Sequence, residues 1–590
     1  MLTSQATRIA ALAVTAALLS GATSASPRKT DPSLTPSGLR WVSRTLVRMS
    51  LEQKVGQMIG IRANGGFISA DSETLKGLES LVGELKVGGV VFFAGQVFET
   101  AWLANHLQKR AEIPLLMSSD YERGAAFRVE GATAFPPLMA LGAADSEELA
   151  YQMGRITAVE GRAMGVHQAL APVADVNINP LNPIISTRSV GEDPEQVGRL
   201  TRAFVLGCQR HGMICTAKHY PGHGDTDVDT HLNLAVVTAD RDRLEQVELL
   251  PFRRLVDAGV MSVMTGHLSV PALDPMPGRP ATLSPVLLTD LLRRQMNFRG
   301  LIVTDAMDMG GITTLFPPGE AAVRAVEAGA DMVLLPADPR EAARALLEAV
   351  RSGRIPEYRI NSSVRRILGL KARLGLHRDK TVELERLPEI IGSENHRFWS
   401  ARAFRESLTL VKNEGSVLPL EASLSKLAVL SLSSDEDDYF AGKTFVQEVL
   451  KRRKDAVSGF ADAHTDPRQV QDFVEKAREA DAILVALFSR LQDRKGTVGL
   501  NPAHAQAVRD LVSDGKRVAV VSFGSPYFLL EFPETAGYVC AYRGSPEAQQ
   551  AAAAAMFGER GFSGRLPVSL PGLFPRGHGL ALAERKEGEE

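Results

Sequence analysis

The sequence predicts an α/β fold in which a TIM-type (β/α)8 barrel precedes a second α/β sandwich domain. Between about residues 50 and 375, short runs rich in Val, Ile, Leu and Met alternate with segments of helical periodicity. This alternation is typical of βα units repeated around a parallel sheet, and eight units in one stretch predict a closed barrel. The eight runs span residues 55–61, 87–93, 114–119, 166–176, 213–217, 260–265, 300–304 and 330–335.

Length and composition exclude several classes of protein. The 590 residues, of which 44% are hydrophobic, suffice for a large core. With 67 Lys and Arg against 69 Asp and Glu, the formal net charge is -2, so there is no basic field to bind nucleic acid. Beyond residue 25 there is no apolar stretch of about 18 residues, which excludes a mature membrane span. Cys208, Cys215 and Cys540 lie in apolar runs and predict buried free thiols rather than a disulfide scaffold.

The first 25 residues have the pattern of a cleaved export signal. Arg8 precedes an apolar stretch at 9–19, which is followed by small residues that end at Ala25. This order is typical of a secretory signal peptide. We therefore expect a periplasmic or secreted protein. The alternative is a retained N-terminal anchor, because a single Arg is a weak basic region.

The chain after residues 1–25 divides into two predicted domains. The barrel takes residues 36–375, and the charged, irregular stretch 376–400 connects it to a second domain at 401–590. Oligomeric state leaves no mark in the sequence. The predicted strands of the second domain are 426–431, 482–488, 517–523 and 537–541, and its predicted helices include 469–480 and 502–513.

Polar residues follow directly after four of the predicted barrel strands. They are Asp120 after the third run, Lys218 and His219 after the fifth, His267 after the sixth and Asp305 after the seventh. The carboxyl ends of barrel strands meet at one mouth, where the active sites of such barrels lie. Single Asp and His residues at loop ends often only cap backbone groups, but four polar strand ends at one mouth favour an active site.

The most informative segment is the loop KHYPGHGDTDVDTH, residues 218–231, which follows the fifth run. Gly222 and Gly224 permit backbone conformations closed to other residues, and the loop is typical of a flap over the barrel mouth. Asp229 and His231 are two residues apart. The carboxylate can therefore accept the imidazole Nδ1 proton and leave Nε2 free to exchange a proton with a substrate, which predicts an acid/base pair.

A second reactive group is predicted in GLIVTDAMDMGGI, residues 300–312. An apolar strand delivers Asp305 to the barrel mouth, where a carboxylate can attack an electrophilic carbon and form a covalent intermediate. Asp308 is the weaker candidate, because three positions later the chain has left the strand.

These two motifs, together with NINPLNPIISTRSVGEDP at 177–194, resemble glycoside hydrolase family 3, and in particular its β-N-acetylhexosaminidase branch. The resemblance covers the barrel from about residue 40 to 375, and GFSGRLPVSLPG at 561–572 is similar to the second domain of two-domain members. It implies that Asp305 is the nucleophile, His231 the acid/base and Asp229 the carboxylate that orients His231.

The resemblance also implies a binding site and a reaction. Asp120, Arg188, Lys218 and His219 match positions that bind the hydroxyl groups of the sugar in the -1 subsite. The implied reaction is retaining, exo-acting hydrolysis of terminal β-linked N-acetylglucosamine from glycans or from peptidoglycan or chitin fragments, through a glycosyl-aspartate intermediate. A histidine acid/base departs from the usual pair of carboxylates. The expected partner is a carbohydrate substrate, with no cofactor and no metal.

The sequence departs from the pattern of this branch after the third strand. Where the family commonly has D-Q-E-G-G-R, this chain has DYERGA at 120–125. Because Asp120 is retained, we expect sugar binding to be intact. The change leaves open how the neighbouring unit of the substrate is recognised.

Other functions are compatible with parts of the sequence. A metal-dependent barrel hydrolase is conceivable, because His219, His223, Asp225, Asp229 and His231 are possible ligands, although their spacing matches no standard closed site. A family 3 β-glucosidase or β-xylosidase would carry its acid/base in the second domain, which the complete D-x-H loop disfavours. A non-catalytic sugar-binding barrel is a third alternative, and phosphorolysis could replace hydrolysis because the sequence does not reveal the acceptor.

Overall fold

Eight parallel strands, all within the described part of the chain, form the barrel of the first domain. The computed structural model describes residues 34–421, 423–435, 441–489 and 499–585, so the predicted signal peptide at 1–25 lies outside the described residues. The prediction of a TIM-type barrel is confirmed. The strands are β1 Ile59–Gly65, β2 Gly89–Gln96, β3 Leu116–Ser119, β4 Gln168–Ala169, β5 Ile214–Tyr220, β6 Ser262–Thr265, β7 Leu301–Thr304 and β8 Val333–Leu334.

The barrel closes through its strand order. Along the sheet the order is β7-β6-β5-β4-β3-β2-β1-β8, and every neighbouring pair is parallel. A bridge between Val303 in β7 and Met332, just before β8, joins the two ends. All the carboxyl ends of the strands therefore meet at one mouth.

The first predicted strand differs most in kind from the structure, because part of its apolar run is helical. The run at 55–61 starts inside the helix Leu51–Gln57, and β1 begins only at Ile59. Ser50 and Gln53 form a capping box at the start of this helix, which favours a helix over a strand. A short apolar run carries no periodicity that separates the two structures, so composition alone gave the wrong boundary.

Helices cover the outside of the barrel. Two neighbouring helices, Glu147–Ala163 and Pro194–Arg210, begin after residues whose side chains cap them, Ser146 and Asp193. No described helix is long and apolar enough to cross a membrane. The remaining helices of this domain are Pro36–Arg48, Glu73–Gly83, Val97–Arg110, Leu138–Ala144, Arg241–Gln246, Leu249–Asp257, Val286–Gln295, Gly310–Thr313, Pro318–Ala328, Pro339–Arg351 and Glu357–Arg373.

The second domain is an α/β sandwich, as predicted. Its sheet has the order β9-β14-β13-β12-β10-β11, in which β9 is antiparallel to β14 and the other pairs are parallel. Helices Lys443–Arg452 and Pro546–Met556 cover one face, and Pro467–Ala477 and Pro502–Ser513 cover the other. The strands are β9 Thr409–Asn413, β10 Leu427–Ser433, β11 Val457–Ala461, β12 Ala482–Phe488, β13 Arg517–Ser522 and β14 Gly537–Cys540.

Two of these six strands were absent from the sequence prediction. β9 and β11 lie at the two edges of the sheet. In β11 the side chains of Val457, Ser458 and Phe460 are exposed. This edge strand buries little, and its apolar pattern is correspondingly weak. β9 buries Thr409, Leu410 and Val411, a run too short to predict a strand.

The segment between the domains packs against the barrel. It contains the turns Leu384–Arg386 and Leu387–Ile390 and then the helix Glu394–Ser407. The Glu160 carboxylate, which is buried in the barrel, accepts hydrogen bonds from the Gly392 N–H at 2.9 Å and from the imidazole of His396 at 2.8 Å. A carboxylate satisfied by this segment fixes its path on the barrel surface.

One barrel helix completes the core of the second domain. Met139, Ala140 and Ala143, in the helix Leu138–Ala144, belong to the apolar cluster on one face of the second sheet. Close approach requires Gly142, because a Cβ there would lie 2.0 Å from the carbonyl oxygen of Val190 and 3.0 Å from Pro567 Cβ. The two domains therefore share one packed interface.

The close contact at Gly142 predicts the effect of a single methyl group. Gly142→Ala is expected to destabilise the protein by about 1–3 kcal/mol, because the methyl would overlap backbone. The matched control is Gly77→Ala, also in a helix but with open space around its Cβ position; it should stabilise by about 0.5–1 kcal/mol through helix propensity. Thermal unfolding midpoints measure both. Equal midpoints for the two variants would contradict the close packing of Gly142 against the Val190 carbonyl and Pro567.

Candidate active site

A cavity of about 1120 Å³ lies at the mouth of the barrel, and residues of both domains line it. The second domain contributes Phe488, Phe523, Tyr542 and Arg543 among others. From the barrel, six of the seven predicted site residues face this cavity: Asp120, Arg188, Lys218, His219, His231 and Asp305. The seventh, Asp229, is buried behind His231.

The Asp305 carboxylate is held at the end of β7. Its backbone N–H donates to the carbonyl of Thr265 at 3.1 Å, and its Oδ1 accepts the N–H of Ala306 at 2.7 Å. Burial raises the pKa of this carboxyl, but His219, His267, Lys218 and the Ala306 N–H together lower the pKa below its usual value. Asp305 is therefore ionised at neutral pH, as a nucleophile must be.

Four charged side chains form a compact cluster beside Asp305. Lys218 Nζ lies 2.7 Å from Asp120 Oδ1 and 2.8 Å from Glu122 Oε1. Arg188 donates to both oxygens of Glu122, at 3.0 Å from Nε and 2.8 Å from Nη2. Two cations thus balance two carboxylates, and the cluster presents fixed donors and acceptors to the cavity. Arg128 extends it with a 2.9 Å contact to Asp120.

The pKa shifts in this cluster follow from its pairing. Burial opposes ionisation of Asp120 and Glu122, but nearby cations, Lys218 and Arg128 for Asp120 and Arg188 and Lys218 for Glu122, hold both pKa values below the usual range. Burial likewise lowers the pKa of Lys218, and the two carboxylates raise it above the usual value. All of these groups stay charged at neutral pH.

Glu122 and Asp175 are site residues that the sequence reasoning missed. Glu122 stands two positions after Asp120, and this proximity in the chain was a usable signal. Asp175 gave a different signal, because it is a carboxylate inside the apolar run 166–176. A buried acid in such a run must have partners.

The partners of Asp175 are His219, near the end of β5, and the backbone of His223, in the loop after β5. Its carboxylate accepts the N–H of His223 at 2.7 Å, the N–H of His219 at 3.2 Å and the Nδ1–H of His219 at 2.7 Å. Arg188 Nη2, which can only donate, lies 3.3 Å from His219 Nε2. The contacts therefore assign the tautomer of His219 with its proton on Nδ1.

The loop after β5 is pinned at several points. The Asn182 side chain donates to the carbonyl of His223 at 2.9 Å. His223 lies between the hydroxyls of Thr226 and Thr230, and burial lowers its pKa to about 4, so it is neutral at pH 7. The backbone at Gly222 has a positive φ of 137°.

Gly224 is required for a different reason from the one expected. Its φ is not in the positive region, but a Cβ at Gly224 would lie 1.7 Å from the carbonyl oxygen of Val176. The loop backbone therefore passes directly over the segment that carries Asp175, and only glycine permits this approach.

Asp229 and His231 form the predicted pair. His231 Nδ1 lies 2.7 Å from Asp229 Oδ1, which also accepts the backbone N–H of His231 at 2.8 Å. The Asp229 side chain is 1% exposed and that of His231 is 23% exposed. The carboxylate therefore orients the imidazole, and His231 faces the cavity.

Two other polar residues near the mouth have structural partners. His267 does not line the cavity; its imidazole contacts the Thr282 hydroxyl at 2.8 Å and the Ala306 carbonyl at 2.9 Å. Asp308 lies on the cavity wall and pairs with Arg62 at 2.9 Å.

The proposed metal ligands of the loop are engaged by other groups. Asp225 pairs with Arg243 at 3.2 Å, and His219, His223, Asp229 and His231 have the partners given above. Within the described residues, no group of three or more His, Cys, Asp or Glu side chains is arranged to hold a metal ion.

Sequence comparison places this chain in the class of glycoside hydrolases. The chain belongs to glycosyl hydrolase family 3, whose N-terminal domain model matches residues 50–370 and whose C-terminal domain model matches residues 408–576. The resemblance to this family that the loop motifs suggested is therefore confirmed.

The similar proteins include several that carry names for N-acetylated sugars. The beta-N-acetylglucosaminidase/beta-glucosidase of Cellulomonas fimi is 29% identical over 91% of this chain and 96% of that protein. Beta-hexosaminidase A of Pseudoalteromonas piscicida is 30% identical over 77% of this chain and 82% of that protein.

Solved structures share the two-domain fold. A family 3 beta-N-acetylglucosaminidase from Paenibacillus sp. str. FPU-7 has a TM-score of 0.78 and 33% identity, and the match covers 88% of this chain and 99% of that chain. The beta-glucoside phosphorylase BglX bound to 2FGlc has a TM-score of 0.82 and 26% identity, over 91% and 97%.

The charged cluster predicts the effect of removing Lys218. Lys218→Met is expected to destabilise the fold by about 3–5 kcal/mol, because Asp120 and Glu122 lose the ammonium between them. Their lowered pKa values contribute stability that is present above the ordinary carboxyl pKa and is lost as the pH falls through the folded-state value. Without Lys218 the pKa values of Asp120 and Glu122 rise, so the loss of stability on acidification should begin at a higher pH.

Thermal midpoints measured between about pH 3 and 7 check this prediction. The control is Lys76→Met, which removes an exposed contact to Glu73 and should change stability by less than about 1 kcal/mol. Identical acid profiles for Lys218→Met and the unmodified protein would contradict the proposed charge balance.

Proposed function

We propose that the chain is a retaining, exo-acting β-N-acetylhexosaminidase that releases terminal β-linked N-acetylglucosamine from glycans or from peptidoglycan or chitin fragments. The observation that carries this proposal is the Asp229–His231 pair at the cavity that also holds the ionised Asp305. A nucleophile and an oriented acid/base at one cavity are the two groups that a double displacement needs.

Substrate binding falls to the charged cluster. Asp120, Arg188, Lys218 and His219 would hold the hydroxyl groups of the terminal sugar in the -1 subsite. Their mutual ion pairs fix their positions before the sugar arrives, so little conformational entropy is lost on binding. Charged donors and acceptors also form stronger hydrogen bonds to hydroxyl groups than neutral ones do.

In the first chemical step, the Asp305 carboxylate attacks the anomeric carbon of the sugar. The bond from that carbon to the glycosidic oxygen breaks, and His231 Nε2–H donates its proton to the departing oxygen. Asp229 stabilises the imidazolium from the Nδ1 side. The products are the sugar, now joined to Asp305 as an α-configured glycosyl ester, and the free aglycone.

In the second step, His231 acts as the base. It removes a proton from water, and the water oxygen attacks the anomeric carbon and displaces the Asp305 carboxylate. The two inversions restore the β configuration. A histidine in this role departs from the two-carboxylate scheme, but an imidazole can both donate and accept a proton around neutral pH.

Specificity for the N-acetylated sugar is supported by the names of the similar proteins above. One of them, from Cellulomonas fimi, is named for both N-acetylglucosaminide and glucoside hydrolysis. A β-glucosidase is therefore a comparison that every assay should include. We further propose export to the periplasm or the medium, on the basis of the N-terminal sequence pattern alone.

A second candidate is phosphorolysis of the same bond. The observation that favours it is the similarity to a structure described as a beta-glucoside phosphorylase. A histidine base carries no negative charge in either protonation state, so it would not repel a phosphate anion that replaced water as the acceptor.

Substitution of the three proposed catalytic residues tests the mechanism. With 4-nitrophenyl β-N-acetylglucosaminide, Asp305→Ala should lower kcat/KM by about 10⁴-fold or more, because no covalent intermediate can form. His231→Ala should lower kcat by about 10²–10⁴-fold through the loss of the base, and Asp229→Asn should act in the same direction. Steady-state kinetics of the purified protein provide the measurement.

Asp308→Ala is the matched control for Asp305→Ala, since it removes a carboxylate at the same cavity that pairs only with Arg62 among the contacts above. It should keep most of the activity. Sodium azide should restore turnover of His231→Ala, because azide needs no base. Full activity of Asp305→Ala, or a preference for the 4-nitrophenyl β-glucoside, would refute the mechanism or the sugar specificity, respectively.

The stereochemistry of the reaction tests the retaining mechanism. Proton NMR spectra taken early in the reaction should show the β-anomer of N-acetylglucosamine first, followed by mutarotation, because two displacements retain configuration. Early appearance of the α-anomer would indicate a single displacement. The same spectra recorded with inorganic phosphate distinguish the acceptor, since a sugar 1-phosphate forms only if phosphorolysis occurs.

A further inference from the structure

The loop after β4 brings the second domain into contact with residues of the candidate site. This loop carries Asp175 and Arg188 and ends at Asp193, which caps the helix Pro194–Arg210. Both Asp175 and Arg188 contact His219. The positions of two loop residues therefore determine where the His219 imidazole lies.

Glu192 fastens the far end of this loop to the second domain. Its carboxylate accepts two hydrogen bonds from one residue, the Ser569 N–H at 2.8 Å and the Ser569 hydroxyl at 2.6 Å. The Glu192 N–H donates to the carbonyl of Pro567 at 3.1 Å. The approach is close, because a Cβ at Gly191 would lie 2.4 Å from that same carbonyl oxygen.

The attachment lies four residues from Arg188, and the intervening backbone is held as well. The Ser189 hydroxyl donates to the carbonyl of Asp175 at 2.6 Å, and the Asn177 N–H donates to the carbonyl of Gly191 at 2.9 Å. These bonds tie the two ends of the loop together. A shift at Glu192 would therefore move both Arg188 and Asp175.

A second contact reaches the same loop from another part of the second domain. The Asn177 side chain, which is fully buried, donates to the Tyr527 hydroxyl at 3.1 Å. Asn177 stands two residues after Asp175. The two contacts with the second domain therefore flank the segment 178–191, which carries Arg188, and the first of them in the chain lies two residues from Asp175, which contacts His219.

We infer that Glu192 is a positioning residue, through which Ser569 of the second domain sets the place of Arg188 and His219 in the sugar-binding cluster. Glu192 does not line the cavity and acts only through the loop. The inference deepens the proposed function and rests on it for the assignment of Arg188 and His219 to the sugar. It gives the second domain a role in substrate binding beyond lining part of the cavity.

The test compares three variants with the unmodified full chain on 4-nitrophenyl β-N-acetylglucosaminide. Glu192→Ala removes both acceptors, and kcat/KM should fall about tenfold or more with a raised KM, since small displacements of binding groups are costly. Glu192→Gln should recover most of the loss, because its amide oxygen accepts the Ser569 N–H and its NH2 donates to the hydroxyl. Glu148→Ala is the control; it removes another carboxylate that joins the barrel to the helix Glu394–Ser407, through Arg402 at 3.0 Å.

The KM separates positioning from a structural role. If Glu192 only stabilised the fold, the alanine variant would contain less active protein, and kcat would fall while KM stayed unchanged. A raised KM in Glu192→Ala, with the KM of Glu148→Ala unaltered, supports the inference. An unchanged KM in Glu192→Ala overturns it. If Glu192→Ala does not fold, Ser569→Ala removes only the hydroxyl contact and is read in the same way.

A double-mutant cycle tests whether Glu192 affects substrate binding through Arg188. If Glu192 acts through Arg188, adding Glu192→Ala to Arg188→Ala should lower kcat/KM much less than it does in the unmodified chain. Additive losses would overturn the inference. Failure of the proposed function is seen separately, as absence of N-acetylglucosaminide hydrolysis by the unmodified chain; the same variants are then read on the 4-nitrophenyl β-glucoside.

Discussion

The arrangement of the site depends on one carboxylate, that of Asp175, which is buried away from water. An unpaired carboxylate at this depth would cost several kcal/mol, so donors must surround it in the folded protein. Those donors come from His219, near the end of β5, and from His223, in the loop after β5. The loop after β4 and the loop after β5 therefore fold around one point, and the segment leading to His231 starts from a fixed position.

A balance of charge accompanies this arrangement. Lys218 and Arg188 offset Asp120 and Glu122, so the cluster that would hold the sugar is neutral in sum. The charge of Asp305 stands beside this balanced group, where His219, His267, Lys218 and the Ala306 N–H lower its pKa. The cavity thus keeps a nucleophile ionised without leaving other buried charges uncompensated, and the polar groups need little rearrangement when a substrate enters.

The sequence was informative where local pattern decides structure. The eight apolar runs located the barrel strands, and the residues directly after them located Asp120, Lys218 and Asp305, because strand ends of a parallel barrel share one mouth. The Asp229–His231 contact was predictable since it spans only two residues. The family resemblance supplied Arg188, which no local pattern singled out.

Long-range contacts explain what the sequence did not reveal. Asp175 pairs with residues 44 and 48 positions away, and nothing in its own run indicates those partners. Glu192 contacts Ser569 across 377 positions. His267 has the same local setting as the predicted site residues, but its imidazole contacts the Thr282 hydroxyl and the Ala306 carbonyl and does not line the cavity. Such pairings depend on how distant segments meet, which local periodicity does not encode.

The helix Leu138–Ala144 belongs to the barrel by its place in the chain and to the second domain by its packing. During synthesis it is made long before the sheet that covers it, so its apolar side waits until the second domain has folded. A gene cut between the domains would leave an apolar patch on one piece and an incomplete core in the other. A second domain exchanged from a relative must therefore first fit this helix.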